Sequence, residues 1–572
     1  MSASTGRTCR GRSVTLLHPD ARLIDAATGA ELSGVPLREA VHAAVAGFAQ
    51  LPPGVVFLRT PTTVEAIVRY IGAFEAGRPL ALLDPGLPAE TLADFVERFE
   101  PAAVCGPPLP PDAQPEGLKG YTRRDDEPRE RGTALRERDA ALQEHGTEPQ
   151  EHGTEPRGHG TEPRGRDTEP RKWDAALREH GTEPWERDTA LRERDTALRE
   201  RGTEPWERGT ELWERDTPSS TVPHPELATL LATSGSTGDP KLVRLSRGAV
   251  LANTTSIIEA LGITGEDVAV SSLPFYYSFG MSVLNTHLAA GATVVVEAGG
   301  LVARSFWPAV DRYQVTSLAL VPSQYEMLRR LRFDPRRHPS LRTLTQAGGR
   351  LRTDLVRDFH ERMASVGGRL FVMYGQTEAA PRLTTLPAGR LAEKLGSVGP
   401  AVPGGRLTVR LEDGTETTAP GVVGEVLYRG PNVMMGYAET AADLARGDER
   451  GGLLETGDLG HLDEEGYLFI DGRLKRFGKV FGVRLNLDDV ERLAAATGPG
   501  AVAAVAGDDK VVVFVEGATV EQLATRVNEL ADRLKLHWSG FTMRGVPALP
   551  LLSNGKVDYR ALEVRTMREP AR

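Results

Sequence analysis

Short apolar segments alternate with amphipathic segments along much of the chain. The spacing of apolar positions predicts an amphipathic helix over residues 61–77, a buried strand over 78–86 and another helix over 89–101. The same alternation returns at residue 226 and continues to residue 375. Because short apolar strands separated by helices are typical of parallel sheets covered on both faces, the pattern predicts an α/β fold with helix-covered β-sheets.

From about residue 396 the pattern changes to β segments interrupted by glycines, as in residues 405–414 and 466–473. These segments predict a smaller barrel-like or hairpin subdomain. After Arg473, an apolar strand (residues 511–517) precedes an amphipathic helix (residues 520–538), which predicts a small C-terminal α+β domain.

Residues 130–213 repeat a seven-residue unit of the type EHGTEPR. A period of seven suggests a coiled coil, but six of the twelve units contain proline and these six have at most one apolar residue each, so no continuous apolar seam can be buried. We therefore expect a disordered spacer inserted in a surface loop. An alternative, a segment that binds a partner, rests on its four tryptophans, which are Trp173, Trp185, Trp206 and Trp213.

These patterns predict a domain organisation with one interruption. Residues 15–118 and 221–474 form the two parts of a large N-terminal domain, residues 119–220 form the low-complexity insert, and residues 475–572 form the C-terminal domain. The length of 572 residues therefore overstates the number of domains.

Charge and cysteine content exclude several classes of function. The net charge is −10, of which the repeat carries about −6, so that the rest of the chain is near neutral and offers no support for a nucleic-acid partner. Two cysteines, Cys9 and Cys105, cannot build a disulfide framework, which fits a reducing cytoplasm. We also expect no membrane span, because no stretch approaches about 18 uninterrupted apolar residues.

The strongest chemical signal is the sequence TSGSTGDPK at residues 233–241, directly after an apolar segment. Its glycines and small hydroxyl residues leave backbone N–H and side-chain O–H groups facing outward, and Lys241 adds a positive charge. The chain lacks the GxxxxGK[ST] pattern of a Walker A loop. A Ser/Thr/Gly cluster is often only a solvated turn, but these nine residues after a strand favour a loop that binds a triphosphate.

This loop resembles the phosphate loop of the acyl-adenylate-forming ligases, the superfamily of acyl-CoA synthetases, nonribosomal peptide adenylation domains and firefly luciferase. Further motifs follow in the family's order. YGQTE (374–378) is similar to the family's YGxTE, TGD (456–458) to its TGD, GRLK (472–475) to its hinge motif, and PLLSNGK (550–556) to the loop that carries its catalytic lysine. Five motifs in order make the resemblance specific.

The resemblance implies a two-step reaction. ATP and Mg²⁺ serve to activate a carboxylic acid as an acyl-adenylate with release of pyrophosphate, and the acyl group then passes to the thiol of coenzyme A or of a carrier-protein phosphopantetheine arm. It also implies that Glu378 ligates Mg²⁺ and that Thr377 approaches the α-phosphate. The residues that it implies for ATP and AMP binding are Thr233, Ser234, Gly235, Ser236, Thr237, Gly238, Lys241, Gly348, Gly349, Tyr374, Gly375, Gln376, Asp458 and Arg473.

Within this set, Asp458 offers two acceptor oxygens to the ribose diol, Arg473 lies near the ribose or the phosphates, and Gly348 and Gly349 flank the adenine. Each has a plainer alternative. An aspartate in TGD can form a turn with its own backbone, glycines at a strand end are ordinarily turn formers, and Glu378 can complement a helix dipole.

By the same resemblance, Lys556 stabilises charge in the first half-reaction, although a lysine on a surface loop is ordinarily only solvated. Lys475 is the hinge about which a mobile C-terminal domain swings, which brings Lys479 and Gly482 toward the adenylate for the thiol step. The chain departs from the family at Arg476, where an acidic residue is usual.

The acid pocket is expected at Phe275, Tyr276, Tyr277 and Met281, with Tyr277 where the family often has a histidine. No carboxylate is present there to pair with an α-ammonium group, which favours a fatty, aryl or similar acid without an amino group. The alternatives are a stand-alone enzyme that loads an amino acid onto a carrier protein, and a non-catalytic scaffold that binds partners through the repeat.

Overall fold

The computed structural model covers most of the chain outside the repeat. It describes residues 15–108, 118, 121–123, 211–217, 219, 221–232, 241–474, 476–481, 483–507, 510–552 and 555–568. Cys9 and the repeat as far as residue 210 lie outside the described residues. So do several predicted site residues, namely Thr233, Ser234, Gly235, Ser236, Thr237, Gly238, Lys475 and Gly482.

Helices and strands alternate as the sequence predicts. The helices are α1 (Gly34–Gln50), α2 (Val64–Glu75), α3 (Ala89–Phe99), α4 (Arg247–Leu261), α5 (Ser278–Ala289), α6 (Phe306–Arg312), α7 (Pro322–Arg330), α8 (Thr353–Ala364), α9 (Leu487–Ala495), α10 (Val520–Leu534) and α11 (Tyr559–Arg568). The strands before the glycine-rich part are β1 (Arg22–Asp25), β2 (Glu31–Ser33), β3 (Val56–Arg59), β4 (Leu80–Leu83), β5 (Ala103–Gly106), β6 (Tyr121–Arg123), β7 (Glu211–Arg215), β8 (Leu227–Ala232), β9 (Leu242–Ser246), β10 (Val268–Val270), β11 (Thr293–Val296), β12 (Ser317–Leu320), β13 (Thr343–Gln346), β14 (Arg369–Gly375) and β15 (Arg382–Leu386). Those that follow are β16 (Arg406–Arg410), β17 (Glu416–Thr417), β18 (Gly424–Arg429), β19 (Gly436–Ala438), β20 (Leu453–Leu462), β21 (Leu468–Arg473), β22 (Phe477–Val480), β23 (Val483–Asn486), β24 (Val502–Ala506), β25 (Val511–Glu516) and β26 (Phe541–Val546).

Capping residues in the sequence explain where several helices begin and end. The Thr63 hydroxyl accepts a hydrogen bond from the Ala66 N–H at the start of α2 (3.3 Å), and the Ser246 hydroxyl accepts one from the Ala249 N–H at the start of α4 (3.0 Å). Helix α4 ends at Gly262, whose φ of +65° is left-handed and suits glycine. These ends agree with the predicted helices.

One eight-stranded sheet has the order β15-β14-β13-β12-β10-β11-β1-β2. Its strands from β14 to β1 pair in parallel, and the edge strands β15 and β2 are antiparallel. Helices α5, α6, α7 and α8 connect the successive strands from β10 to β14. Because ligands of such sheets bind beyond the carboxyl ends of the strands, the loops after β13 and β14 are the expected site.

A second eight-stranded sheet has the order β19-β9-β8-β4-β3-β5-β7-β6. Strands β5, β3, β4 and β8 are parallel, and β9 and β7 extend this core in antiparallel fashion. Strand β8 is the apolar segment that leads into the phosphate loop, and β9 is the strand that follows it. The loop therefore connects two neighbouring antiparallel strands.

The boundaries expected for the insert, 119 and 220, are too wide. Residues Tyr121–Arg123 form strand β6, and Glu211–Arg215 form strand β7 of the second sheet. In β7, Trp213 pairs with Val104 of β5 and packs on the core below this sheet. The last repeat unit differs from the others because its apolar Leu212 and Trp213 belong to β7. The end of the repeat pattern at residue 213 therefore does not coincide with the start of the folded part.

The glycine-punctuated segments form a five-stranded antiparallel sheet in the order β17-β16-β18-β20-β21. The described pairing leaves β17 and β21 as its edges, so the subdomain is an open sheet rather than a closed barrel. The C-terminal part contains the hairpin β22–β23 and the sheet β24-β25-β26, against which α9 and α10 pack. In the part of the chain that the structure describes, no helix is long and apolar enough to cross a bilayer.

Candidate active site

Several predicted site residues of the N-terminal domain lie at the carboxyl ends of β13 and β14. Gly348 follows β13 and has a φ of +83°, and a Cβ there would overlap the hydroxyl of Tyr277. Glycine is therefore required at this position for both backbone conformation and space. Tyr374 and Gly375 end β14, and the short 3-10 helix Thr377–Ala379 follows.

Asp458 on β20 is held by residues of two predicted motifs. Its Oδ2 accepts hydrogen bonds from the Tyr374 hydroxyl and from Gln376 Nε2 (2.9 Å), and its Oδ1 lies 3.3 Å from Arg473 Nε. Burial raises the pKa of this carboxyl, which is 4% exposed, while Arg473 and the two hydrogen bonds lower it. The structure thus brings Tyr374, Gln376, Asp458 and Arg473 together.

Glu378 has a partner that the sequence analysis did not identify. The hydroxyl of Tyr437 on β19 donates to Glu378 Oε1 at 2.8 Å, and burial together with the Glu378 charge raises the pKa of this tyrosine. The hydroxyls of Thr377 and Ser278 are 3.1 Å apart, which connects the motif to the start of α5. Tyr437 stands far from every motif in sequence, so that only the pairing of β19 with β9 reveals it.

Lys556 lies on a tight turn that contacts the N-terminal domain. The Gly555 N–H donates to the Leu552 carbonyl at 2.8 Å, the Leu552 N–H donates to the Lys556 carbonyl at 2.8 Å, and the Ser323 hydroxyl donates to the Gly555 carbonyl at 2.8 Å. Gly555 has a φ of +79°, which glycine adopts readily. These contacts hold the turn at the start of α7.

The Lys556 ammonium group faces the other predicted catalytic groups. Its Nζ is 5.3 Å from the ring centroid of Tyr277. Burial and the positive charge of Arg473 lower the pKa of Lys556, and the negative charges of Glu378 and Asp458 raise it. The structure therefore places the cation of the C-terminal turn against Tyr277 and within electrostatic range of both carboxylates of the N-terminal domain.

Lys241 directly follows the phosphate loop. Its Nζ forms an ion pair with Glu439 Oε1 at 2.5 Å, and both side chains are exposed by about half. Glu439 follows β19, the strand that carries Tyr437. This places the lysine at the edge of the second sheet, on the strand pair that also supplies the Glu378 partner.

The four residues predicted for the acid pocket have different surroundings. Phe275 is buried against Tyr70, with ring centroids 6.1 Å apart, and Met281 on α5 is 0% exposed. Tyr276 is half-buried. Tyr277 is the member of this set that approaches both Gly348 and Lys556. Of the four residues, Tyr277 is therefore the one whose contacts agree best with a place in the acid pocket.

Arg476, the departure from the family pattern, lies inside the C-terminal domain. Its Nη2 pairs with Glu491 Oε1 at 2.5 Å and donates to the Ala504 carbonyl at 2.8 Å, and its guanidinium lies 3.9 Å from the ring centroid of Tyr559. It also pairs with Asp488. This residue therefore ties the hairpin β22–β23 to α9 and α11, while Lys479 on the same hairpin is exposed.

The two carboxylates of the site, Glu378 and Asp458, suit a Mg²⁺ ion that also binds the phosphates of a nucleotide. No group of three or more His, Cys, Asp or Glu side chains suited to a metal occurs among the described residues. Mg²⁺ commonly takes one or two carboxylates and completes its coordination with substrate phosphates and water. Glu378, which follows β14 in the short 3-10 helix, is the residue that would supply such a carboxylate.

Comparison with known proteins gives relatives that are named as CoA ligases. The chain is 34% identical over 352 residues to the indoleacetate–CoA ligase of Aromatoleum aromaticum, which covers 58% of this chain and 66% of that protein. It is 32% identical over 246 residues to the 2-succinylbenzoate–CoA ligase of Bacillus pumilus, which covers 43% of this chain and 48% of that protein. The chain thus matches less than two thirds of either relative's length.

The fold agrees with a solved structure over nearly the whole chain. ATP-bound MatB from Rhodopseudomonas palustris matches with a TM-score of 0.65 at 21% sequence identity, and the match covers 96% of each chain. A family model described as AMP-binding enzyme matches residues 17–438, which include the strands and loops that hold Gly348, Tyr374, Thr377 and Glu378. The chain belongs to the AMP-binding enzyme family.

Proposed function

We propose that this protein is an AMP-forming acid–thiol ligase. It activates a carboxylic acid with ATP as an acyl-adenylate and then transfers the acyl group to a thiol. The observation that carries the proposal is the position of Lys556 beside Tyr277, Glu378 and Asp458, because a cation and two carboxylates converge where a nucleotide would meet an acid. The names of the two sequence relatives, both CoA ligases, support the same reaction.

The first half-reaction requires the acid carboxylate to attack the α-phosphorus of ATP while pyrophosphate leaves. Negative charge grows on the transferring oxygens, and fixed cations that face these oxygens lower the barrier. Lys556 supplies one such charge, and Thr377 offers a hydroxyl to the α-phosphate. Mg²⁺ bound at Glu378 would neutralise phosphate charge.

Asp458 positions the nucleotide in this proposal. One of its oxygens is held by Tyr374 and Gln376, so the carboxylate has a fixed orientation before ATP binds. Arg473 on the neighbouring strand faces the other oxygen and can exchange this contact for the ribose or the phosphates. Gly348 and Gly349 leave the adenine room against the backbone after β13.

The second half-reaction uses a different face of the C-terminal domain. In the observed arrangement Lys556 is in the site and Lys479 is exposed, which suits adenylation. We propose that rotation about Lys475 withdraws Lys556 and brings Lys479 and Gly482 toward the adenylate. The relatives' names favour coenzyme A as the thiol, and a carrier-protein phosphopantetheine arm is the second candidate.

The test of the reaction is ATP–pyrophosphate exchange with a panel of aliphatic, aryl and amino acids. We expect exchange with acids that have no α-amino group, because none of the four predicted pocket residues, from Phe275 to Met281, carries a carboxylate to pair with an ammonium group. The active acid is then offered with coenzyme A or with a phosphopantetheinylated carrier protein, and the thioester is measured by mass spectrometry. Exchange with amino acids alone would support the amino-acid-loading alternative, and exchange with no acid would support the scaffold.

Removal of the repeat tests whether it has a part in catalysis. The repeat covers residues 130–213, but a deletion with these bounds would remove part of β7. We instead expect that replacing residues 124–210 by a short glycine-serine link leaves the exchange rate within about twofold of the full chain, since β6 and β7 are neighbours and loop length has a small effect on closure entropy. A larger loss, with an unchanged melting temperature, would show that the repeat contributes to activity.

A further inference from the structure

A buried arginine next to the candidate active site has no role in the reaction described above. Arg382, the first residue of β15, is 2% exposed. Its backbone N–H donates to Asn253 Oδ1 at 3.1 Å, and its carbonyl accepts from the amides of Asn253 and Asn432, both at 2.9 Å. These buried amides fix the backbone from which the side chain extends.

The guanidinium of Arg382 has no carboxylate partner among the residues that the structure describes. It lies 4.8 Å from the ring centroid of Phe279, its Nη2 is 3.5 Å from the Ser282 hydroxyl, and its Nε has no hydrogen-bond partner. Within the described ranges, no aspartate or glutamate pairs with it, and burial lowers its pKa to about 10. Burial of an unpaired cation is strongly unfavourable, so the arrangement calls for an anion.

Arg382 lines a narrow cavity inside the N-terminal domain. Other lining residues are Phe279, Ser282, Thr286, His287 and Met373. The volume of the cavity is about 30 Å³. This room suits a compact polar group at the guanidinium rather than a long alkyl chain.

The other titratable groups that face the cavity have partners or are neutral. Asp267 accepts hydrogen bonds from Thr264 and Thr316, and Arg369 is exposed and donates to the Thr343 hydroxyl at 3.3 Å. Burial lowers the pKa of His287, whose Nδ1 lies 2.8 Å from the Val283 carbonyl. Arg382 is therefore the buried cation among the described lining residues, whereas Arg369 is exposed to solvent.

The cavity adjoins the reacting end of the site through Tyr277 and α5. Tyr277 contacts both Lys556 and Phe279, because its ring centroid is 5.3 Å from Lys556 Nζ and 6.4 Å from the Phe279 ring centroid. Ser278, which contacts Thr377, and Ser282, which contacts Arg382, are four residues apart on α5, or about 6 Å along the helix axis. A bridging molecule therefore needs only a few atoms between its two ends.

We propose that Arg382 binds a second anionic group of the acid substrate, so that the preferred substrate is a carboxylic acid with another acid group a few carbon atoms away. One carboxylate is activated near Lys556 and Thr377, and the other pairs with Arg382. This assignment rests on the proposed ligase function, because it names the substrate class of the same site. It also gives the buried guanidinium a counter-ion, which none of the described residues supplies.

The test compares diacids with their half-amides, which match them in shape but lack the second charge. The probes are succinate with succinamate, glutarate with glutaramate, and terephthalate with its monoamide, each measured as kcat/KM in ATP–pyrophosphate exchange. We expect the wild-type protein to prefer at least one diacid over its half-amide by about 100-fold, because the half-amide leaves the cation unpaired. This comparison needs no variant and is independent of any effect on folding.

The variant Arg382→Gln should abolish this preference by lowering kcat/KM for the diacid about 100-fold while leaving the half-amide within about threefold. Arg357→Gln, which changes an exposed arginine on α8, is the matched control and should keep the preference. Equal losses for diacid and half-amide would assign Arg382 a structural role and overturn the proposal. Exchange only with acids that carry a single charge would overturn it while the ligase function stands, whereas exchange with no acid would refute the ligase function itself.

Discussion

Replacement of Lys556 by alanine should lower acid-dependent ATP–pyrophosphate exchange by about 10²–10³-fold, the usual effect of removing one preorganised charge from a reaction centre. The turn that carries Lys556 docks through the Ser323–Gly555 hydrogen bond, which does not involve the lysine side chain, so the domain contact should survive. The measurement is exchange with the best acid of the panel, together with the melting temperature.

The same variant should form the thioester from a synthetic acyl-adenylate and the thiol at close to the wild-type rate, because the proposed rotation withdraws Lys556 before that step. Lys479→Ala should show the opposite pattern, with normal exchange and slow thioester formation. Lys510→Ala, at an exposed turn before β25, is the matched control and should change neither step. Equal loss of both steps in Lys556→Ala would contradict the division of labour between the two faces of the C-terminal domain.

Replacement of Glu378 by glutamine should also reduce exchange by about 10²-fold, and the residual activity should need far more Mg²⁺. Glutamine keeps the size of the side chain and can still accept the hydrogen bond from Tyr437, so the change removes mainly the negative charge. The measurement is the exchange rate as a function of Mg²⁺ concentration at saturating ATP.

Two further variants separate charge from orientation at this position. Tyr437→Phe removes the hydroxyl that orients Glu378, and it should weaken the apparent Mg²⁺ affinity about tenfold while activity recovers at high Mg²⁺. Glu361→Gln on the exposed face of α8 should have no effect. An unchanged Mg²⁺ dependence in Glu378→Gln would show that this carboxylate does not hold the metal.

Much of the fold could be predicted because local patterns and tertiary structure agree. Helices α2 and α4 begin at threonine and serine caps that are visible in the sequence, and the apolar strands between them are buried as expected. For the glycine-rich subdomain the sequence left a barrel-like and a hairpin arrangement open, because closure depends on pairing between edge strands that no local pattern encodes. The ends of the insert were misplaced for the same reason, since Trp213 is buried only by its contact with β5.

The site could be predicted where its residues belong to motifs, and was missed where they do not. Tyr374, Glu378, Asp458 and Lys556 were identified in sequence order, and the structure brings them together. Tyr437 and Arg382 are not part of any of the motifs. Their surroundings appear only in the folded chain, where Tyr437 contacts Glu378 and the Arg382 guanidinium lies against the Phe279 ring. Arg382 follows the YGQTE motif closely, but its burial without a counter-ion is a property of the folded chain.

The position of strands β6 and β7 determines how the protein tolerates insertions between them. Because the two strands are neighbours at the edge of the second sheet, the chain leaves and re-enters the folded part at the same edge of this sheet. Whatever stands between them can lengthen, shorten or be exchanged without altering the path of the strands that carry the active site. This edge is therefore a suitable insertion site for a whole domain, such as a fluorescent reporter whose own termini lie close together.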